Sequence, residues 1–424
     1  MSHKRTFPNF WTQKILSNKK FLDRGWPSRT FINGFDGLVS LANDEWKTHR
    51  TLVSPSYAPN VIENFVPTLL EHIELILDDL GDTNEDIVEP LDILQRRILS
   101  VVLETSMGLK DEVADTDRLE LLEAIESFLN SQFDRILRAY TWNDTTNKLY
   151  NWIYGIKDQR EKLRNYGYRI IRSRLEKKLR HTQINAHDNP TNKRNQAFLD
   201  HMLGTFMNET SAKNQKIDEK GIMNELINIM MTSYETIINT TLWFLYNMAC
   251  NPQIQEKLYE ELLDFNEKND CMTIAHINEL TFLDQCVKEN LRTHPPVSMM
   301  VRKIDSDLEL ESYLIPKGTL SVTSIYSVHH DEKIYACPEK FDPSRFEPEN
   351  FAKIPAGAYI PFGDGPRRCI GEKLALFEAK IIFSNIIKKF RVIPVEPEKV
   401  KIQIDLLTRP TEPLRFRFIR RDKN

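Results

Sequence analysis

Apolar residues recur at helical spacing through most of the segment from Val61 to Arg292, and this pattern constrains the fold more than any other feature of the chain. Shorter strand-like runs follow at Met299–Arg302, Leu320–Ile325 and Leu414–Ile419. The chain is therefore predicted to be mainly α-helical with small β-sheets. Because no shift in composition divides the 424 residues, we predict a single domain over residues 1–424.

Composition excludes several classes of protein and favours a globular enzyme. The net charge of -4 shows no bias toward nucleic acid. Five cysteines without CxxC pairs argue against zinc sites and a disulfide framework, and they favour a reducing compartment. No stretch approaches the roughly 20 apolar residues of a membrane span. The N-terminus also lacks the apolar core of a signal peptide.

One cysteine, Cys369, follows a loop rich in glycine and precedes a long amphipathic segment. Gly363 and Gly365 permit a backbone path that a Cβ would obstruct, and Pro366 stiffens it. The apolar periodicity from Leu374 to Ile386 places Cys369 at the N-terminal end of a helix. The helix dipole there lowers the pKa of a thiol, which suits a thiolate ligand to a heme iron. Taken alone, the cysteine could equally be an ordinary buried residue after a turn.

The full pattern Phe-x-x-Gly-x-Arg-x-Cys-x-Gly, in a helical chain and near its end, resembles the heme-binding signature of the cytochromes P450. Its five residues are Phe362, Gly365, Arg367, Cys369 and Gly371. The resemblance implies that Cys369 is the axial ligand of heme b. It also implies that Phe362, Arg367 and Gly371 help to bind the heme.

Trp46 and Arg50 are four residues apart, so they share a helix face. They resemble the Trp-x-x-x-Arg pair of the family that meets a heme propionate, and an indole N–H and a guanidinium are suitable donors to a carboxylate. Arg302 and Arg367 match the other propionate arginines of the family. The alternative for Trp46 and Arg50 alone is a core tryptophan beside a surface arginine.

The segment from Glu225 to Pro252 resembles the long helix that crosses the distal face of the heme in the family. Glu235 and Thr236 match its acid and threonine, which implies proton delivery to dioxygen by general acid catalysis. Ser233 stands where the family pattern has glycine. A serine there either makes opening of the helix harder or contributes its own hydroxyl.

Glu289 and Arg292 are three residues apart and share a helix face. They resemble the Glu-x-x-Arg pair of the family, and the run Phe341–Phe346 resembles the loop that supplies a third charged partner. The expected role is a buried network that supports folding.

The resemblance also predicts which segments face the substrate and the electron donor. The segments expected to face the cavity are Phe31–Leu38, Ile229–Ser233, Val297–Met300 and Leu406–Thr408, and most of their residues are apolar, which predicts a lipophilic substrate. The cations expected on the proximal side are Lys47, Arg368, Lys373, Lys388 and Lys389, which could steer an acidic electron-donor protein. A solvated surface explains these cations nearly as well.

The resemblance implies a monooxygenase that uses O2 and takes electrons from NADPH through NADPH-cytochrome P450 reductase. The motifs are most similar to the microsomal branch, which implies the cytosolic face of the endoplasmic reticulum membrane. Only 45 residues precede Trp46, so we expect the N-terminal anchor and first β-hairpin to be absent. We also expect the strands at Met299–Arg302 and Leu320–Ile325 to have an open edge and an uncovered apolar face.

Two alternatives stay open. One is a P450 isomerase or dehydratase that acts on peroxides without a reductase, which the pair of Glu235 and Thr236 disfavours. The other is an inactive heme-binding fragment, which the intact heme signature disfavours.

Overall fold

A computed structural model describes residues 9–421 apart from 82–85, 110–114, 185–196, 209–216, 269–273, 312, 396–399 and 405. The chain groups into two compact units. The first comprises Met1–Gly25, Ile73–Leu94 and Thr236–Asn424, and the second comprises Trp26–His72 and Gln95–Glu235. The single domain expected over residues 1–424 stays a prediction.

Helices account for most of the described residues, as the periodicity predicts. In chain order they are α1 Asn9–Leu16, α2 Trp26–Ile32, α3 Asn43–Val53, α4 Pro59–Ile62, α5 Val66–Gly81, α6 Leu91–Met107, α7 Asp115–Leu137, α8 Asp144–Ile153, α9 Arg160–Ile184, α10 Phe198–Asn208, α11 Glu219–Cys250, α12 Pro252–Lys268, α13 Ile274–Glu279, α14 Thr281–Thr293, α15 Ile325–His329, α16 Pro348–Phe351 and α17 Glu372–Lys389.

The strands form small two-stranded antiparallel sheets. They are β1 Met299–Lys303, β2 Leu308–Leu310, β3 Tyr313–Ile315, β4 Leu320–Ser324, β5 Phe390–Pro394, β6 Ile402–Ile404, β7 Thr408–Pro410 and β8 Phe416–Arg420. The pairs are β1 with β4, β2 with β3, β5 with β8, and β6 with β7. Three of these strands, β1, β4 and β8, lie where the sequence predicts strands. The mainly α fold with small β-sheets is therefore confirmed.

Helix α11 has 32 residues and is the longest of the described helices. Its apolar residues are buried on several faces, which is typical of a helix inside a core. Phe244 of α11 stacks on Phe383 of α17 with ring centroids 3.7 Å apart. Within the described part of the chain, no helix is both long enough and apolar enough to cross a membrane.

Helix α1 covers an apolar surface beside the first sheet. Trp11, Ile15 and Phe21 form one buried cluster with Ile304 and Leu310, which flank the turn after β1. Burial of such side chains contributes about 1.5–3 kcal/mol each relative to exposure. Leu16, at the end of α1, forms a second buried cluster with Ile325 and Ile360, and Met300 of β1 packs against it. The prediction of an uncovered apolar face beside these strands is therefore wrong, because α1 packs against it.

Candidate functional site

The loop that carries Cys369 has the backbone that its glycines predict. Gly363 and Gly365 have φ angles of +76° and +69°, which L-residues with side chains rarely adopt. The amide of Cys369 donates to the carbonyl oxygen of Phe362 at 3.0 Å, and this bond closes the loop. Gly371 is the N-cap residue of α17. The cysteine thus lies two residues before a helix N-cap, as predicted.

Cys369 is exposed, and the residue before it, Arg368, is a cation. The next helix begins at Glu372, so the positive end of its dipole lies close to the thiol. Arg368 donates two hydrogen bonds to Glu372. The pKa of Arg368 is raised, mainly by the hydrogen bond to Glu372 and in smaller part by the charge of a Cys369 thiolate.

Arg302 on β1 is a buried guanidinium without a counter-ion among the described residues. Its side chain is 1% exposed, and its Nη1 donates only to the neighbouring Val301 carbonyl at 2.9 Å. Its Nε and Nη2 have no hydrogen-bond partner in the described structure. Burial, together with the charge of Arg24, lowers the pKa of Arg302 to about 9. A buried donor left unpaired costs about 1–3 kcal/mol, so this site is suited to an anionic ligand.

Arg24 acts electrostatically on Arg302, and it also bonds the backbone of a second buried arginine, Arg367. Arg367 is 2% exposed, and its Nη1 donates to the Leu22 carbonyl oxygen at 2.9 Å. Arg24 donates from Nη2 to the Arg367 carbonyl oxygen at 3.4 Å. The unpaired buried donors of Arg302 therefore fit a group that carries carboxylates, such as the propionates of heme.

Arg24 is absent from the sequence predictions, because no motif surrounds it. Nothing in the sequence around Arg24, including its neighbours Leu22 and Asp23, distinguishes it from other arginines of the chain. Only the fold, which brings residues 22–25 beside β1, reveals its place next to Arg302.

Trp46 and Arg50 lie one turn apart on α3, in the second unit. Trp46 is buried and Arg50 is half-buried. Nδ1 of His49 lies 2.6 Å from a Glu225 carboxylate oxygen of α11, and this contact orients α3. The shared helix turn is confirmed, while the propionate role of Trp46 and Arg50 stays a prediction.

Glu235 and Thr236 are consecutive, half-buried residues of α11. The helix is continuous through Ser233, which sits where the family pattern has glycine. The hydroxyl of Thr240 donates to the Thr236 carbonyl oxygen at 2.7 Å, so a side chain contributes to helix bonding here. Such bonds often bend helices. The proton-delivery role of Glu235 and Thr236 is not tested by these contacts and stays a prediction.

Two of the four predicted substrate segments are adjacent. Val297 and Leu407 form an isolated antiparallel bridge, and the amide of Ser298 donates to the Leu406 carbonyl oxygen at 3.0 Å. The segments Val297–Met300 and Leu406–Thr408 therefore present neighbouring residues, although they are over 100 positions apart.

The predicted charge network around Glu289 is confirmed. Both Glu289 and Arg292 are fully buried, and Arg292 donates from Nε and Nη2 to the Glu289 carboxylate at 2.6 and 2.8 Å. Arg345 approaches the same carboxylate at 3.4 Å, and the amide of Asp342 donates to it at 2.7 Å. Burial raises the pKa of Glu289, and the charge of Arg292 opposes the shift. The network joins α14 to the loop that follows α15.

Three of the five cations predicted on the proximal side are paired with carboxylates. Lys47 lies 2.8 Å from Asp44, Lys389 lies 3.2 Å from Asp78, and Arg368 pairs with Glu372. Exposed pairs of this kind are weak, so they leave the cations accessible to a partner. Docking of an electron donor stays a prediction.

Comparison with known proteins agrees with this geometry. The family model for cytochrome P450 matches residues 14–418. Cytochrome P450 4c21 of Blattella germanica is 28% identical over 410 residues, which is 95% of this chain and 80% of the relative. Cytochrome P450 4g1 of Drosophila melanogaster is 28% identical over 93% of this chain and 76% of the relative. Cytochrome P450 4V2 of Homo sapiens is 26% identical over 91% and 74%, respectively. The chain therefore belongs to the cytochrome P450 family, whose members are heme-thiolate monooxygenases.

Proposed function

We propose that this P450 inserts one oxygen atom of O2 into a lipophilic small molecule, with electrons from NADPH delivered by NADPH-cytochrome P450 reductase. The observation that carries the proposal is the exposed Cys369 side chain at the start of α17, in the same unit as the buried arginines 302 and 367. The bound heme b supplies the activation of dioxygen.

The residues around the loop hold the cofactor. Cys369 would hold the heme iron through its thiolate, and the positive end of the α17 dipole would stabilise that anion. Arg302 and Arg367 donate to the propionates, and Trp46 and Arg50 add donors from α3. Arg24 joins this set, since its charge acts on Arg302 and it bonds the Arg367 carbonyl. Phe362 and Gly371 lie at the two ends of the loop and contact the heme.

We assign proton delivery to Glu235 and Thr236. Both residues are half-buried, so a carboxyl and a hydroxyl on consecutive positions of α11 have limited access to solvent. Glu235 takes up a proton and Thr236 holds it, directly or through a water, for transfer in the general-acid step. Helix α11 fixes their spacing because its backbone hydrogen bonds continue on both sides.

Apolar side chains define the substrate class. Val297 at the β1 end and Leu407 before β7 form a bridge, and methionines at 299 and 300 follow in the same strand. Methionine adapts its shape and favours apolar ligands. These contacts support a lipophilic substrate.

A reduced, CO-bound absorption spectrum tests the proposal. The wild-type chain should give a thiolate-type band, Cys369→Ser should abolish it, and Cys369→His should give a histidine-type band. Cys337→Ser is the matched control, because Cys337 is also exposed but lies outside the loop. A thiolate-type band that survives in Cys369→Ser would contradict the assignment. Turnover without NADPH or a reductase would favour an isomerase or dehydratase instead.

We also propose that the protein lies on the cytosolic face of the endoplasmic reticulum membrane. The second unit exposes an aromatic surface, defined by Trp26, Tyr140, Trp142, Trp152 and Tyr154. Trp152 is 80% exposed, and Trp26 and Trp142 contact each other with centroids 4.1 Å apart. Tryptophan and tyrosine prefer the membrane–water interface, because their rings are amphipathic.

Binding to vesicles tests the membrane proposal. Trp152→Glu should reduce co-sedimentation with phosphatidylcholine vesicles. Leu314→Glu is the control, since Leu314 is also exposed and lies in β3, away from the aromatic surface in the sequence. Equal binding by wild type and Trp152→Glu would contradict this part of the proposal.

A further inference from the structure

The short segment between α1 and α2 contacts the loop of Cys369 through a turn centred on Asp23. The Asp23 Oδ1 atom accepts from the amide of Gly25 at 2.8 Å, and Gly25 has a φ of +72°. A carboxylate that accepts from the amide two residues later forms an Asx turn. The turn fixes the backbone at residues 22 to 25.

Asp23 is buried, and both its backbone carbonyl and its carboxylate contact polar partners. Its carbonyl oxygen accepts from the amide of Lys303 at 2.8 Å, which joins the turn to β1. Its Oδ2 lies 3.6 Å from Nζ of Lys303, which supplies an opposite charge. A buried carboxylate needs such compensation. The turn is therefore anchored to the sheet at two points.

This anchored turn presents a carbonyl oxygen to Arg367. The Leu22 carbonyl accepts from Nη1 of Arg367 at 2.9 Å, and Leu22 itself is buried. Arg367 is two residues before Cys369, in the 3-10 turn Gly365–Arg367. A displacement of Leu22 would therefore move the hydrogen-bond acceptor of the Arg367 side chain, two residues before Cys369.

We propose that Asp23 is a positioning residue for the Cys369 loop, which it acts on through the Leu22 carbonyl and Arg367. The proposal rests on the proposed function, in which Cys369 is the axial ligand. The Asp23 carboxylate keeps the 22–25 turn closed, and the closed turn holds Arg367 in the orientation that the loop requires.

The experiment compares full-length holoenzyme variants. Asp23→Ala removes the acceptor for Gly25, whereas Asp23→Asn keeps an oxygen at the same position. Asp307→Ala is the matched control, because Asp307 also accepts a backbone amide, that of Lys317, at 2.7 Å, but is exposed. The measurements are the transfer of heme to apomyoglobin and hydrogen–deuterium exchange of the peptide covering 362–371.

Asp23→Ala should lose heme about tenfold faster than wild type, the change expected when a hydrogen bond to a charged group is removed. Exchange in 362–371 should rise while exchange in β6 and β7 stays constant. Asp23→Asn should fall between wild type and Asp23→Ala, because its neutral oxygen can still accept from Gly25 but cannot pair with Lys303. Asp307→Ala should match wild type. Unchanged exchange in Asp23→Ala, or a uniform rise across the chain, would overturn the proposal.

A wild-type chain without a thiolate-type CO band would refute the proposed function, yet the exchange comparison would still test the turn.

Discussion

The carbonyl oxygen of Leu16 lies 2.3 Å from the point where a Cβ on Gly365 would stand, and Cα of Ser17 lies 2.5 Å from the same point. The end of α1 thus packs directly on the backbone of the Cys369 loop. Since the contacts are with backbone atoms, a side chain at 365 cannot be accommodated by rotating a neighbour. Gly365→Ala should cost more than about 2 kcal/mol and lower heme content, measured by thermal unfolding and by the heme-to-protein ratio.

Gly363→Ala provides the matched comparison. Gly363 has a similar φ, but the atoms that its Cβ would meet are Cε and Sδ of Met300. A methionine end can rotate away, so only the backbone strain should remain, about 1 kcal/mol. Equal losses for Gly363→Ala and Gly365→Ala would show that α1 does not press on the loop.

Thr236→Ala should uncouple the reaction, with NADPH oxidised and hydrogen peroxide released in place of oxygenated product. General acid assistance typically contributes about 10²- to 10⁴-fold to rate, so the loss is measurable as product formed per NADPH. Ser233→Gly tests the position that departs from the family. Better coupling would show that the serine hinders α11 from opening, and worse coupling would show that its hydroxyl participates. If coupling is unchanged in Thr236→Ala, Ser233 or Glu235 delivers the proton instead of Thr236.

Features set by local chemistry were predictable from the sequence. The left-handed glycines at 363 and 365, the helix start after Cys369 and the strand at Met299 follow from residue types and short spacings. The bond between Glu289 and Arg292 was also predictable, because three residues span one helical turn.

Features set by long-range packing were not predictable. Arg24 reaches the carbonyl of Arg367 across 343 positions of sequence. Trp11 and Ile15 pack on Ile304, although the sequence of the eight residues of α1 does not indicate which segment they pack against. Distant contacts were predictable only where a family motif named both partners, as for Glu289 and the loop at 341–346. No motif includes α1, so the sequence does not indicate that α1 covers the first sheet.

Glu289→Gln should destabilise the fold by about 3–5 kcal/mol, because it leaves the buried Arg292 guanidinium uncompensated. Glu256→Gln is the control. Its partner Arg421 donates two bonds at 3.0 Å, but the Glu256 side chain is 50% exposed, so the loss should stay below about 1 kcal/mol. Urea unfolding monitored by tryptophan fluorescence measures both. Similar losses in the two variants would show that burial does not govern the strength of the Glu289 network.

His329 should make the protein sensitive to mild acid. Burial, reinforced by the charge of Arg292, lowers the pKa of His329 to about 3, and its Nε2 accepts from the amide of Ile360 at 2.9 Å. The neutral ring is therefore part of the native hydrogen bonding. Because the folded-state pKa lies below the unfolded value of about 6.5, the stabilisation is complete above pH 6.5 and is lost as pH falls toward 3.

The size of this loss follows from the unfolded pKa. Between pH 7 and pH 5, protonation of the unfolded chain at His329 should lower the free energy of unfolding by about 2 kcal/mol. His329→Gln has no imidazole to protonate. Between pH 7 and pH 5 its free energy of unfolding should therefore fall by about 2 kcal/mol less than that of wild type, whatever its stability at pH 7. The check is the urea midpoint of both proteins at pH 7, 6 and 5. Parallel declines would mean that the ring of His329 is not held neutral in the folded protein.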